Sequence, residues 1–185
     1  MKSSLVKLTS ITVLMMILSA PLVLAYELGD VVEDFTLTDL EGNEVSLSDE
    51  AGQIIVLNFF TTWCLGCNIE AEHLQHDIWE GYAGQNVTVI AIDIQEQVSL
   101  VQGWALALGI TYPIWLTPDW DLFQQFPQAL ALPYNAILDP NLEIRYAAMG
   151  FDLQAITNMI DILIEEGPTP LTESTFDDVK AMYRR

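Results

Sequence analysis

Cys64 and Cys67 are the only two cysteines of the chain, and they lie three residues apart. The apolar run of residues 54–60 leads into them, and a helical pattern continues to about Tyr82. Side chains three apart on a helix have Cβ atoms about 5–6 Å from each other. Because a disulfide needs Cα atoms about 4.4–6.8 Å apart, this pair can open and close with little backbone movement. The spacing therefore indicates a redox-active dithiol.

Two other uses of the cysteine pair remain open at this point. A structural disulfide usually closes a longer loop, because a longer loop constrains the unfolded chain more. A metal site would need further cysteine or histidine ligands, and His73 and His76 are the only histidines. We therefore expect a dithiol that works without a bound metal or cofactor.

The N-terminus has the pattern of an export signal. Lys2 and Lys7 precede an apolar stretch that ends at Ala25, with Val23 and Ala25 placed as the small residues of a signal-peptidase site. Residues 1–25 are therefore predicted to be a signal peptide, with an uncleaved membrane anchor as the alternative. Residues 26–167 form the predicted domain, and residues 168–185 are predicted to be a polar, loosely ordered tail.

The composition is strongly acidic, with 26 Asp and Glu against 6 Lys and Arg and a net charge of −20. Such a surface disfavours nucleic acid and anionic membranes as partners. It suits solubility, a basic partner or a high-salt habitat. Membrane contact is expected only through the N-terminal segment, and the protein is expected to be a monomer.

Hydrophobic periodicity predicts one α/β domain with a mixed sheet, helices on both faces and an additional N-terminal β-hairpin. The predicted strands are 35–38, 45–47, 54–60, 87–94, 112–116, 134–138 and 143–147. The predicted helices are 64–82, 98–108, 119–126 and 152–165.

Three stretches in this order resemble the thioredoxin fold, and more closely its extracytoplasmic TlpA/ResA-type branch. Residues 35–49 are similar to the N-terminal hairpin of that branch, residues 56–70 to its strand and active-site turn, and residues 132–139 to its cis-proline and following strand. The resemblance covers about residues 29–166. The chain departs from the family at Gly66, where proline is common, and at Tyr134, where a small hydroxyl residue is common.

The dithiol has two predicted roles. Cys64 begins the helix, where free N–H groups and the helix dipole favour a thiolate, so it is predicted to be the nucleophile. Cys67 is predicted to resolve the mixed disulfide, which leaves a Cys64–Cys67 disulfide. The resemblance implies that Glu70 handles protons for Cys67, with an ordinary first-turn helix carboxylate as the alternative. Asn58 stands where cytosolic thioredoxins carry a buried aspartate.

The resemblance also implies a substrate-binding side of the site. Pro133 is expected to be a cis-proline that faces the dithiol, and the backbone of its neighbours Leu132 and Tyr134 is expected to bind the extended chain of a substrate. Trp63 is expected to form a flat apolar wall beside Cys64, with a core position as the alternative.

The charge pattern predicts a direction of electron flow. No Lys or Arg lies between Ala25 and Arg145, so no nearby cation lowers the pKa of Cys64, whereas Glu70, Glu72 and the net negative charge raise it. We therefore expect a thiol in the range of reducing thioredoxins rather than of strong oxidants.

The predicted function is an exported thiol–disulfide oxidoreductase that reduces specific protein disulfides and is recharged by an upstream membrane or exported thiol donor. The resemblance suggests cytochrome c maturation as the setting. A peroxiredoxin-like peroxidase is one alternative, although Leu57 stands where its proline should be, and Arg145 is the only candidate in the predicted core for its arginine. A non-enzymatic metal-delivery module is the other.

Overall fold

The computed structural model describes residues 25–167. Residues 1–24, which hold nearly all of the predicted export segment, and the predicted tail at 168–185 lie outside the described residues. The strands are β1 Thr36–Asp39, β2 Glu44–Ser46, β3 Ile54–Phe60, β4 Val87–Ile94, β5 Ile114–Thr117, β6 Tyr134–Leu138 and β7 Ile144–Met149. The α-helices are α1 Leu65–His73, α2 Val98–Leu108, α3 Asp121–Gln124 and α4 Leu153–Glu166.

The seven strands form one mixed sheet in the order β2-β1-β5-β4-β3-β6-β7. Strands β3, β4 and β5 are parallel neighbours, and β6 and β7 add antiparallel to β3. The β1–β2 hairpin joins the sheet through an antiparallel pairing with β5. The predicted mixed sheet and N-terminal hairpin are confirmed.

Every residue of the central strand β3 is buried, so helices and loops cover both faces of the sheet. Successive side chains point to opposite faces. Phe59 therefore packs into one core cluster with Phe123 and Phe126, while Phe60 packs into the other, which contains Cys64 and Cys67. The dithiol thus lies at the edge of a core rather than in a surface loop.

The predicted single helix after the dithiol is divided in the structure. Helix α1 ends at His73, and a π-helix follows from Leu74 to Glu80. The wider turn lets the adjacent Leu74 and Gln75 both face inward. The Gln75 amide is bonded to the N–H and the hydroxyl of Thr111, both at 2.7 Å, so a long-range contact accompanies the change in helical geometry.

None of the helices between residues 25 and 167 combines the length and apolar character needed to cross a bilayer.

Candidate active site

The Cys64–Cys67 pair occupies the junction between β3 and α1. Cys64 is the N-cap residue of α1, and its Sγ accepts the backbone N–H of Cys67 at 3.2 Å. The two sulfurs form a disulfide with an S–S distance of 2.18 Å and a Cα–Cα distance of 5.2 Å. Cys64 is 8% exposed and Cys67 is 2% exposed, so the first sulfur is the more accessible one.

Pro133 lies directly against the dithiol turn. The Leu132–Pro133 peptide bond is cis. A Cβ atom added at Gly66 would lie 3.0 Å from Cδ of Pro133, which is tighter than nearly all real contacts. Glycine between the cysteines therefore lets the turn approach the proline closely.

An apolar rim surrounds the Cys64 side of the turn. Trp63, Leu65 and Leu130 are 71%, 75% and 82% exposed, which is unusual for such large apolar side chains. Together with Trp120 and Leu132 they line an open cavity of about 460 Å³ that also reaches Cys64. Trp63 is therefore a surface side chain, and the alternative that it belongs to the core is excluded.

The structure places the Tyr134 side chain in the core. Its ring is fully buried and packs edge-on against Phe59, Phe123 and Phe126. Its hydroxyl donates to the backbone carbonyl of Pro127 at 2.8 Å. A side chain held in this way belongs to the core and does not reach a substrate, so the predicted substrate contact stays a prediction for the backbone of Tyr134.

Glu70 is fully buried on α1, one turn after Cys67. Neither of its carboxylate oxygens has a well-formed hydrogen bond with a described residue. Burial raises the pKa of Glu70 to about 8, against a smaller opposing effect of the Asn135 and Asn58 amides. A carboxylate stabilised by the helix dipole would have a lowered pKa, so the raised pKa argues against the alternative of an ordinary first-turn helix carboxylate.

Polar side chains surround the Glu70 carboxyl. The Asn58 side chain donates to Asn135 Oδ1 at 3.2 Å, and Asn135 donates to the carbonyl of Gly150 at 3.2 Å. The hydroxyl of Tyr112 is also buried without a partner among the described residues, and the charge of Glu70 contributes to a raised pKa of Tyr112. Few of the groups around Glu70 can therefore accept a proton from it.

The turn before Cys64 is held by contacts that the sequence analysis did not identify. Thr62 donates its backbone N–H to Glu96 at 2.5 Å and its hydroxyl to the same carboxylate at 2.7 Å. Its carbonyl accepts the Asn68 side chain at 3.2 Å, and Trp104 Nε1 donates to Asn68 Oδ1 at 2.5 Å. Thr62 is therefore fixed at both ends.

One sequence signal could have pointed to this region. Asp93 is the single carboxylate in the apolar strand β4, and a charge in a buried strand needs a reason. The side chain is fully buried beside Phe60 in the sheet register, three residues before Glu96.

Within residues 25–167, no group of three or more His, Cys, Asp and Glu side chains is arranged to hold a metal ion.

The sheet, the dithiol at a helix N-terminus and the facing cis-proline define a thioredoxin-like thiol–disulfide oxidoreductase. Residues 28–147 match the AhpC/TSA family. The thiol-disulfide oxidoreductase ResA of Geobacillus kaustophilus is 31% identical over 126 residues, which cover 68% of this chain and 71% of that protein. ResA of Bacillus subtilis is 24% identical over 141 residues, or 76% of this chain and 78% of that protein.

Solved structures agree. The DsbF homologue of Corynebacterium diphtheriae has a TM-score of 0.64 at 25% identity, with 75% of this chain and 91% of that chain covered. StoA of Bacillus subtilis shares the fold with a TM-score of 0.59 at 22% identity, with 71% of this chain and 99% of that chain covered. The chain belongs to the AhpC/TSA family and, within it, to the TlpA/ResA-type thioredoxin-like oxidoreductases, as the sequence predicts.

Proposed function

We propose that this protein reduces disulfide bonds of proteins outside the cytoplasm, with Cys64 as the nucleophile and Cys67 as the resolving thiol. The observation that carries the assignment is the asymmetry of the pair. Cys64 borders the open apolar cavity, whereas Cys67 is buried one helical turn away. A substrate sulfur can therefore approach Cys64 and not Cys67.

The exchange proceeds in two balanced steps. The Cys64 thiolate attacks one sulfur of the substrate disulfide, which forms a mixed disulfide and releases the other substrate sulfur as a thiolate. The Cys67 thiolate then attacks Sγ of Cys64 and releases the second substrate sulfur. Two electrons pass to the substrate, and the Cys64–Cys67 disulfide remains, to be reduced again by an upstream membrane or exported thiol donor.

Glu70 is the group that we assign to proton transfer at Cys67. The two residues are three apart on α1, so their side chains lie on neighbouring parts of one helix face. A carboxyl with a pKa of about 8 carries a proton in neutral solution and can release it at moderate cost. It can therefore exchange a proton with Cys67 as that sulfur alternates between thiol and disulfide.

Charge favours the reducing direction. Arg145 is the single Lys or Arg within residues 25–167, and it is bonded to Glu166 at 3.1 Å. It is the second residue of β7, at the end of that strand that pairs with Leu138. The dithiol follows the other end of β3, where Phe59 pairs with Tyr134. No Lys or Arg among the described residues is thus placed to stabilise the Cys64 thiolate. Stabilising the thiolate stabilises the reduced form, which is how strong oxidants are made.

The position of Arg145 also argues against a peroxidase. A peroxidatic cysteine of the kind considered above needs an arginine beside its thiolate. The single arginine among the described residues lies at the end of the sheet opposite to the dithiol.

The apolar rim formed by Trp63, Leu65, Trp120 and Leu130 suits an unfolded or extended protein segment that carries apolar residues beside its disulfide. Leu132 and the cis-proline Pro133 line the approach along which such a segment would extend. Apocytochrome c is a substrate of this chemical kind. The N-terminal pattern at residues 1–25 supports export.

Reduction of insulin disulfides tests the proposed chemistry. We expect wild-type protein with a thiol reductant to accelerate insulin precipitation, and Cys64→Ser to abolish the acceleration, because the attacking sulfur is removed. Equilibration of the dithiol with a glutathione redox buffer measures the direction, and we expect a reduction potential near the roughly −270 mV of thioredoxin. A potential near the roughly −120 mV of DsbA would overturn the reducing assignment.

A further inference from the structure

Asp93 and Glu96 form a pair of acidic groups beside the dithiol, and this pair is separate from Glu70. Asp93 is the second-to-last residue of β4 and has no exposed surface, while Glu96 lies in the following turn and lines an open cavity of about 500 Å³. The Glu96 backbone N–H donates to Asp93 Oδ1 at 3.1 Å. Glu96 thus joins a buried carboxyl to solvent.

Glu96, the more exposed member of the pair, holds the active-site turn. Both oxygens of Glu96 accept hydrogen bonds from Thr62, one from the backbone N–H and one from the hydroxyl. Two accepted bonds are what an ionised carboxylate makes best. The Cys64 N–H in turn donates to the carbonyl of Thr61 at 3.2 Å, so the turn that Glu96 grips is the one that presents Cys64.

The surroundings of Asp93, the buried member of the pair, favour a protonated carboxyl. Asp93 Oδ2 and the neighbouring Thr61 hydroxyl are buried without partners among the described residues. The strands on either side of Asp93 present Phe60 and Leu116 at its level, so Glu96 is the one charged group among the described residues that faces it. A protonated Asp93 can donate a hydrogen bond to Glu96, whereas an ionised Asp93 can only repel it.

We propose that Asp93 and Glu96 are positioning residues for the dithiol: protonated Asp93 holds the Glu96 carboxylate against Thr62, and loss of the Asp93 proton in alkaline solution loosens the turn before Cys64. Burial, followed by hydrogen bonding and charge repulsion from Glu96, raises the pKa of Asp93 to about 8, which sets the pH range in which the turn loosens.

The position of the Thr62 amide proton in NMR spectra tests this directly. The oxidised protein is used, because its disulfide removes the titration of the two thiols. An amide proton bonded to a carboxylate resonates far downfield, so we expect a downfield Thr62 signal that moves upfield as the pH passes about 8. Asp93→Asn, which keeps a donor toward Glu96, should hold the signal downfield throughout, and Glu96→Gln should leave it upfield throughout.

Two further variants separate this transition from other effects. Glu70→Gln should leave the Thr62 transition in place, since Glu70 is a different buried acid. Glu41→Gln, an exposed carboxylate on the hairpin, should change nothing. A Thr62 signal that does not move across the alkaline range in the wild type, a transition that survives in Asp93→Asn, or one that disappears in Glu70→Gln would each overturn the proposal.

A rate measurement connects the contact to the reaction. Glu96→Gln replaces a charged acceptor with a neutral amide, and a hydrogen bond to a charged group contributes about 1.5–3 kcal/mol. We expect Glu96→Gln to slow the single-turnover reaction of the reduced protein with a disulfide by about tenfold or more. An unchanged rate in a variant that has lost the downfield signal would show that the turn needs no such support, and would refute the positioning role.

Discussion

Glu70 and the Asp93–Glu96 pair are two acidic regions on the same face of the sheet, and both contain a carboxyl with a pKa of about 8. They differ in what surrounds that carboxyl. Glu70 is enclosed, without a well-formed hydrogen bond, one helical turn from Cys67. Asp93 is bonded to its partner Glu96, which reaches an open cavity and grips Thr62.

The difference shows that a similar pKa can serve two purposes. At Glu70 the proton itself takes part in the proposed reaction, because the Cys67 sulfur, which must gain and lose a proton, lies nearby. At Asp93 the proposed use of the proton is structural, because a protonated Asp93 can donate a hydrogen bond to Glu96 instead of repelling it. Neither carboxyl is among the groups that shift the pKa of the other. The two regions should therefore respond to mutation independently.

Glu70→Gln has the largest expected effect on stability. The pKa of Glu70 rises from 4.5 in the unfolded chain to about 8 in the folded protein. The stability that this group provides in its protonated form is complete below about pH 4.5, and it is lost as the pH rises toward 8. A neutral glutamine avoids that loss, so the oxidised variant should be more stable than the wild type at pH 8 by about 4 kcal/mol.

Urea denaturation of both oxidised proteins at pH 5 and pH 8 measures this difference. The gain should be much smaller at pH 5. An equal gain at both pH values would mean that glutamine improves packing and that Glu70 does not titrate as described.

Asp93→Asn should change stability in the same direction but by less, about 1–2 kcal/mol at pH 8, because Glu96 connects Asp93 to water and discounts the effect of burial. The double variant with Glu70→Gln should show the sum of the two single effects. The same denaturation series provides the measurement. A double variant that departs from additivity by more than about 0.5 kcal/mol would show that the two regions are coupled.

Trp104→Phe has the smallest expected effect and tests the other end of the Thr62 contact. The ring stacking on Phe60 at 4.7 Å is retained, whereas the bond from Nε1 to Asn68 is lost. We expect a few-fold slower reaction with a disulfide, by about the same factor at every pH, because one neutral hydrogen bond contributes about 1 kcal/mol and neither partner titrates. A pH-dependent factor would place Trp104 within the proton-linked part of the site.

The sequence predicts this fold well where hydrophobic periodicity alone decides the structure. The predicted strands 54–60, 87–94 and 134–138 and the helix 98–108 agree with the structure at both ends. The π-helix after His73 was not predictable in this way. It accompanies the contact between Gln75 and Thr111, which are 36 residues apart.

The site residues likewise divide into those that the sequence predicts and those that only the folded structure brings together. The spacing of Cys64 and Cys67 is local information, and a resemblance supplied Glu70 and Pro133. Glu96 could not be assigned to Thr62 from the sequence, because the two residues are 34 positions apart and come together only through the parallel pairing of β3 and β4. The burial of the Tyr134 side chain could not be predicted for a related reason, since it depends on aromatic residues contributed by distant segments.

Trapping of substrate on a single cysteine tests the central claim most directly. Cys67→Ser keeps the attacking sulfur and removes the resolving one, so the claim predicts stable mixed disulfides with proteins of the native compartment, all joined through Cys64 and identifiable by mass spectrometry. Cys64→Ser, the matched control, should trap few or none, because Cys67 is buried. Equal trapping by the two variants, or trapping through Cys67 alone, would contradict the assignment of Cys64 as the nucleophile.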